Sequence, residues 1–176
     1  MKVRRVVRVM RSPLELAKLA KLRRQASADA RDPEIVRFAS ALARPYRADD
    51  WLGISRTVYR WVRDGIRYQH DPDLQEEFAP SSEILSRGWD DCDGKAKLCV
   101  ALLRALGLDA EVHPVWRGPY LAHVQVRVRF PGSESIRGHV KGWLIGDLTI
   151  ANAELGQSPF AIASNAQTGK LPLAGG

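Results

Sequence analysis

Cys92, His123 and Asp147 are the residues of this chain whose types and settings could carry covalent chemistry. A thiol becomes a useful nucleophile where its thiolate is favoured, and the unpaired N–H groups at a helix N-terminus favour it. The segment Gly88-Trp89-Asp90-Asp91-Cys92-Asp93-Gly94 places Cys92 at the turn into a helical pattern, while Cys99, two turns on, falls on the buried face and reads as packing. A nucleophile also needs a base and a group that orients the base, near in space rather than in sequence. His123 opens the polar face of the clearest strand pattern, and Asp147 follows Trp143-Leu144-Ile145-Gly146 on a returning one. If those strands pair, an imidazole and a carboxylate meet beside the helix tip.

Rival readings attach to each of these residues. Asp90, Asp91 and Asp93 flank Cys92, and negative charge nearby raises a thiol pKa. Helix capping alone would account for Asp90 and Asp91, and a buried thiol for Cys92. A calcium loop aligned on Asp91 and Asp93 puts Gly94 correctly at its sixth place, but sets Trp89 first and Val100 twelfth, where acidic ligands are required, so no metal is expected. His113 is a second candidate for the base; His139 and His70 read as surface histidines. Asp147 could instead pair across strands with Arg127 or Arg129.

The elements that must position these residues are legible from punctuation and period. Leu14, Leu16, Ala17, Leu19, Ala20 and Leu22 form a modest helical stripe after Pro13, with Lys18, Lys21, Arg23 and Arg24 on what reads as a solvated face. Asp32 and Pro33 start a second helix with Ile35, Val36, Phe38, Ala39 and Leu42 on one face. Asp49-Asp50 start a third, with Ile54, Val58, Trp61 and Val62 at buried-stripe spacing and Gly65 at its end. Trp51, Tyr59 and Trp61 read as core. Ile66-Arg67-Tyr68 is extended, His70–Pro80 an acidic loop, and Ser81–Leu85 one or two helical turns. From Cys92, Ala96, Cys99, Val100, Leu102, Leu103 and Leu106 give a strongly periodic helix stopped by Gly107. The period then changes from 3.6 to 2: Glu111–Trp116 is a strand, Gly118-Pro119 a turn, and Leu121–Phe130 alternates, with His123, Gln125, Arg127 and Arg129 opposite an apolar face. His139–Leu148 returns as an antiparallel partner. The fold class is therefore α+β, with N-terminal helices and the Cys92 helix packed on a small antiparallel sheet.

The chain has 176 residues with 27 Lys and Arg against 20 Asp and Glu, a net charge of +7. Nine of the basic residues and one glutamate lie in Met1–Arg24, which leaves 18 against 19 for the rest. The basicity belongs to an N-terminal arm, residues 1–24, followed by a domain at 25–150 and an extension at 151–176. The arm could meet an acidic partner or nucleic acid, but the chain as a whole is no basic nucleic-acid binder. The longest apolar run, Leu98–Leu103, is far short of the ~20 residues that span a bilayer. Arginines interrupt Met1–Val9 where a secretory signal needs an apolar stretch. Cys92 and Cys99 lie about 10 Å apart along a helix, beyond disulfide reach. These features predict a reduced, cytoplasmic protein, and the Lys170–Gly176 end reads as a frayed tail.

Four segments in order resemble the transglutaminase-like superfamily of papain-like cysteine enzymes. Ser86–Ala96 is similar to the family's Gly-x-Cys approach to its helix, Leu102–Leu108 to its helix-to-strand exit, His123-Val124-Gln125-Val126 to its histidine strand, and Gly142–Thr149 to its aspartate strand. The resemblance implies a Cys92–His123–Asp147 triad: Cys92 attacks a carbonyl, His123 shuttles the proton, and Asp147 sets the histidine tautomer. It implies no cofactor, and an oxyanion hole made by the Cys92 N–H with a second donor from Trp89, Gln69 or Tyr68. Water as acceptor makes a cysteine peptidase or amidase, and an amine makes a cross-linking transamidase. Hydrolysis of a protein or peptide substrate is the favoured expectation, because there is no room for the extra β-sandwich domains and calcium sites of the large animal cross-linking enzymes. The Asp-Asp-Cys-Asp variant looks most like phage or prophage members, which suggests a role in phage-particle assembly, with association to the particle, or in host-protein processing. A non-enzymatic assembly module with an idle triad is the competing class.

Overall fold

In the computed structural model, which describes residues 10–70 and 78–158, the helix starts follow the expected punctuation. The Val3–Val9 arm, most of the acidic loop after His70 and the tail through Lys170–Gly176 lie outside the described residues. Helix α1 (Pro13–Asp29) begins at a proline, and α2 (Pro33–Ala43) is capped by Asp32, whose carboxylate accepts from the Glu34 N–H at 2.8 Å. Asp50 caps α3 (Trp51–Gly65) through the Gly53 N–H at 2.9 Å. A two-residue strand β1 (Arg67–Tyr68) follows, then α4 (Ser81–Arg87), β2 (Trp89–Asp90) and α5 (Cys92–Ala105). Strands β3 (Asp109–Arg117), β4 (Tyr120–Arg129) and β5 (Leu144–Gly146) complete the order.

The α+β arrangement is as expected. β3, β4 and β5 form an antiparallel sheet in that order, and β1 pairs with β2 in parallel, Arg67 opposite Trp89 and Tyr68 opposite Asp90. Helix α5 is the centre, packed by α1 to α4 and by β3 and β4. Every residue from Asp93 to Leu103 is buried, so the six apolar positions read from the period understate its burial. The two lysines inside this stretch are satisfied by main chain. Lys95 Nζ donates to the carbonyls of Arg63 (2.9 Å) and Ile66 (2.5 Å), and Lys97 Nζ to that of Ala79.

Three features differ from expectation. On α1 the core residues are Leu19, Leu22 and Ala26, while Leu14 is 82% exposed, and its basic residues turn back onto the body: Lys18 pairs with Asp93 at 2.9 Å and Arg23 donates to the Val112 carbonyl at 3.2 Å. Strand β5 is shorter than His139–Leu148, because Lys141 and Gly142 take positive φ (52° and 79°) in a turn closed by Val140 and Trp143. The polar face of β4 is covered near its middle: Gln125 is 0% exposed, beneath residues that follow β5, with the Gly156 N–H donating to the Ile145 carbonyl at 2.9 Å.

Candidate active site

Asp91 builds the tip of α5. Its Oδ1 accepts from the N–H groups of Asp93 (2.9 Å) and Gly94 (3.1 Å), a cap that does not use the Cys92 amide. Behind it Asp90 is buried, held by Arg87 at 2.7 Å, and accepts from the Asp91 N–H at 2.7 Å. Gly94 is required there: a Cβ on it would lie 2.1 Å from the Asp90 Cγ. Cys92 is thereby fixed in the first helical turn, partly buried, with its sulfur 3.5 Å from Asp93 Oδ1 and facing the Val124 N–H. Burial, then the carboxylates of Asp93 and Asp91, push its thiol well above the ordinary range, and the Val124 amide pulls the other way. Cys99 is fully buried.

His123 and Asp147 meet. Strand β5 pairs with β4 (Val126 opposite Gly146), and the next residue, Asp147, places Oδ2 2.7 Å from His123 Nε2. Burial raises the Asp147 carboxyl, but bonds from His123 and from the Thr149 hydroxyl and amide outweigh it and bring the pKa down to about 2. Thr149 donates to Oδ1 through its N–H (2.9 Å) and hydroxyl (2.6 Å), Gln125 Nε2 to Oδ2 at 3.2 Å, and the Tyr59 hydroxyl to the Asp147 carbonyl at 2.8 Å. Gln125 also donates to the Ser158 hydroxyl at 2.7 Å. These supporting residues escape sequence reading: Gln125 looks like part of a solvated face and Tyr59 like plain core, and only Thr149, two residues past Asp147, carries a local signal, that of an Asx turn.

The alternatives fall into place. Arg127 and Arg129 pair across strands with Glu111 (2.5 Å) and Asp109 (2.6 Å), their register partners, and not with Asp147. His113 lies opposite Gln125 on β3, where burial, then Arg127 and Arg23, lower its pKa to about 4. His139 accepts the Gly142 N–H through Nδ1, and His70 Nδ1 lies 3.3 Å from the Tyr68 hydroxyl. Among the candidate oxyanion donors, the Gln69 side-chain oxygen accepts from Arg67 at 3.1 Å, and the Trp89 ring is covered by the Arg87 guanidinium at 3.9 Å. The Tyr68 hydroxyl is pushed up by burial and then by its nearness to Cys92 and Asp91. Among the described residues, the group suited to a cation is Asp91, Cys92 and Asp93, with ligand atoms within 4.8 Å of one another. Its carboxylates are already engaged, one as the helix cap and the other with Lys18.

A cleft of about 900 Å³ opens beside His123 and Asp147, walled by β3, the start of β4, Thr149 and the α1 side chain of Arg23.

The core of the transglutaminase-like superfamily matches residues 40–147, more than half of the chain, and the chain belongs to that superfamily. The superfamily includes cysteine peptidases and acyltransferases. A crystal structure from Parabacteroides distasonis, of a protein named "putative protease", is similar with a TM-score of 0.56 at 15% identity, over 81% of this chain and 31% of that one. The chain thus spans about a third of that protein's length, and at this identity the likeness is one of fold. No curated protein matches the chain. Among the described residues no helix is long and apolar enough to cross a membrane.

Proposed function

We infer that the chain is a cysteine acyl-transfer enzyme whose nucleophile is Cys92, base His123 and orienting group Asp147, and that its reaction is hydrolysis of a peptide or amide bond. The observation that carries this reading is the 2.7 Å contact between Nε2 of His123 and a buried Asp147, His123 being next in the chain to Val124, whose amide faces the Cys92 sulfur. With Nε2–H donated to the carboxylate, the basic nitrogen of the ring is Nδ1. It takes the thiol proton as Sγ attacks the carbonyl carbon. It then gives that proton to the leaving nitrogen as the C–N bond breaks, leaving a thioester on Cys92. In the second half His123 removes a proton from water, whose oxygen attacks the thioester, and the sulfur leaves with the proton. The developing oxyanion would be met by the Cys92 N–H and, of the three candidates, the Tyr68 hydroxyl, whose residue lies opposite Asp90 just before the start of α5.

The raised thiol fits a resting Cys92 that keeps its proton until attack, so that proton removal accompanies it. It equally favours the second reading, a non-enzymatic module with an idle triad recruited through basic residues of 1–24 to an acidic partner or nucleic acid.

Reaction with p-nitrophenyl acetate decides between them. Wild type should release a burst of p-nitrophenolate near one per chain, with acetyl found on the Cys92 peptide by mass spectrometry, and Cys92→Ala and His123→Ala should give none. Absence of the burst in folded wild type up to pH 9 would leave the module. Added cadaverine that captures the acyl group faster than water does would replace hydrolysis by transamidation.

A further inference from the structure

We propose that the cleft beside His123 is an anion-reading subsite and that the acyl donor is an acidic peptide, its carboxylates held by Arg11, Arg23 and Arg117 while its scissile carbonyl lies at Cys92. This deepens the acyl-transfer reading and rests on it.

Charge is the first ground. Among the described residues, four guanidinium groups, of Arg11, Arg23, Arg117 and Arg127, line the cleft, and the one carboxylate in its lining, Asp147, is fully buried and taken up by His123, Gln125 and Thr149. Arg127 pairs with Glu111 at 2.5 Å, and Glu111 also acts on Arg23, whose guanidinium, among the described residues, donates to the neutral Val112 carbonyl at 3.2 and 3.4 Å. Arg117 is exposed, and no ion pair is formed by Arg11 or Arg117 among the described residues. Basic groups collected in a concave site focus potential and draw in anions.

Unspent hydrogen-bonding capacity is the second ground. Trp116 Nε1 and His113 Nδ1, both on β3 and both in the cleft lining, are buried atoms without a hydrogen-bond partner among the described residues. Buried polar atoms in native proteins are nearly always satisfied, and a ligand could supply these two with partners once the side chains that cover them, such as Arg11 over the Trp116 ring, move aside. The indole N–H can only donate, which suits a carboxylate or a peptide carbonyl.

The shape selects peptide over nucleic acid. Single-stranded nucleic acid is held by bases stacked on open aromatic faces. Here the Trp116 ring, in the cleft lining, is covered by Arg11 at 4.5 Å. A volume of about 900 Å³ suits a short extended segment, and a guanidinium can bind a carboxylate through two N–H groups at once.

The test uses the full chain and three fluorescein-labelled decapeptide pools on one scaffold, Glu/Asp-rich, Ser/Gln-rich and Lys-rich, with a single-stranded oligonucleotide of the same charge as the acidic pool. Binding is read by anisotropy on Cys92→Ala, and turnover by mass spectrometry on wild type. The acidic pool should bind at least about tenfold tighter than the neutral one, with the preference shrinking as salt rises. Arg117→Gln and Arg11→Gln should each narrow that ratio by about two- to fivefold, the range of an exposed charge pair. Equal binding of the three pools, no binding of any, or tighter binding of the oligonucleotide overturns the proposal. The two failures separate. Turnover without charge preference removes the subsite and keeps the enzyme; charge-selective binding to Cys92→Ala with no turnover by wild type removes the enzyme and keeps the subsite.

Discussion

Asp147 is wholly buried yet held ionised, and the energy of that arrangement shows in the pH dependence of stability. Its folded pKa, about 2, lies below the ordinary 3.8, so its contribution is fully present above that ordinary value and is lost as pH falls from near 4 through 2. The difference amounts to about 2 kcal/mol. Between pH 6 and 2 the urea midpoint of wild type should therefore fall more steeply than that of Asp147→Asn; parallel curves would show that the hydrogen bonds from His123 and Thr149 do not hold the carboxylate. Cys92 has the opposite sign. Asp93 adds to the burial that raises its thiol, so Asp93→Asn should speed iodoacetamide labelling of Cys92 at pH 8 several-fold, measured by peptide mapping. Lys18, which pairs with Asp93 at 2.9 Å, screens that charge, and Lys18→Met should slow the same labelling. At Tyr68, replacement by Phe should lower kcat by about a hundredfold with little change in KM if its hydroxyl meets the oxyanion. An unchanged kcat would return the role to Trp89 or Gln69.

At the scale of elements, the start of α5 depends on a close approach. Asp90 comes to rest against the Cα of Gly94, and the 2.1 Å clash of an added Cβ cannot be relieved by swinging Asp90 away, because Arg87 and the Asp91 N–H hold it. Gly94→Ala should destabilise by about 1–3 kcal/mol in denaturant titration and displace Cys92. Lys95 ties the same helix to the end of α3, and so to β1. Lys95→Met would leave the Arg63 and Ile66 carbonyls short of a donor, costing about 1–3 kcal/mol. The β1–β2 pairing it supports, with the Gln69 N–H donating to the Asp90 carbonyl at 3.0 Å, is what brings Tyr68 alongside the tip of α5. The punctuation of α2, α3 and α5 was legible because a cap and an apolar period are local. The length of β5 was not, since its shortening depends on a positive-φ turn at Lys141 and Gly142, where the lysine gives no warning.

For the molecule as a whole, α1 packs into the same core as α5. Residue 24 lies inside that first helix, and Leu19, Leu22 and Ala26 are buried together with α5 side chains. Leu22→Ala should destabilise the chain by about 2–5 kcal/mol in a single denaturation transition, whereas a separate early transition would make α1 an independent arm. Deleting Met1–Arg24 should therefore unfold the domain, and a test of the basic arm must stop before Ser12, whose N–H donates to the Pro119 carbonyl at the β3–β4 turn. Sequence alone determined the α+β class, the helix that begins at Cys92, the strand bearing His123 and the returning strand that Asp147 follows, because each rests on nearest-neighbour chemistry: caps, periods of 3.6 and 2, and turn residues. Tertiary structure decided the rest. Asp147 goes to His123 and not to Arg127 or Arg129 because strand register sets Glu111 and Asp109 opposite those arginines. Gln125, Tyr59, Lys95 and Lys97 become buried donors only when other segments of the chain bring their acceptors, and no local pattern encodes a partner 18 to 88 residues distant.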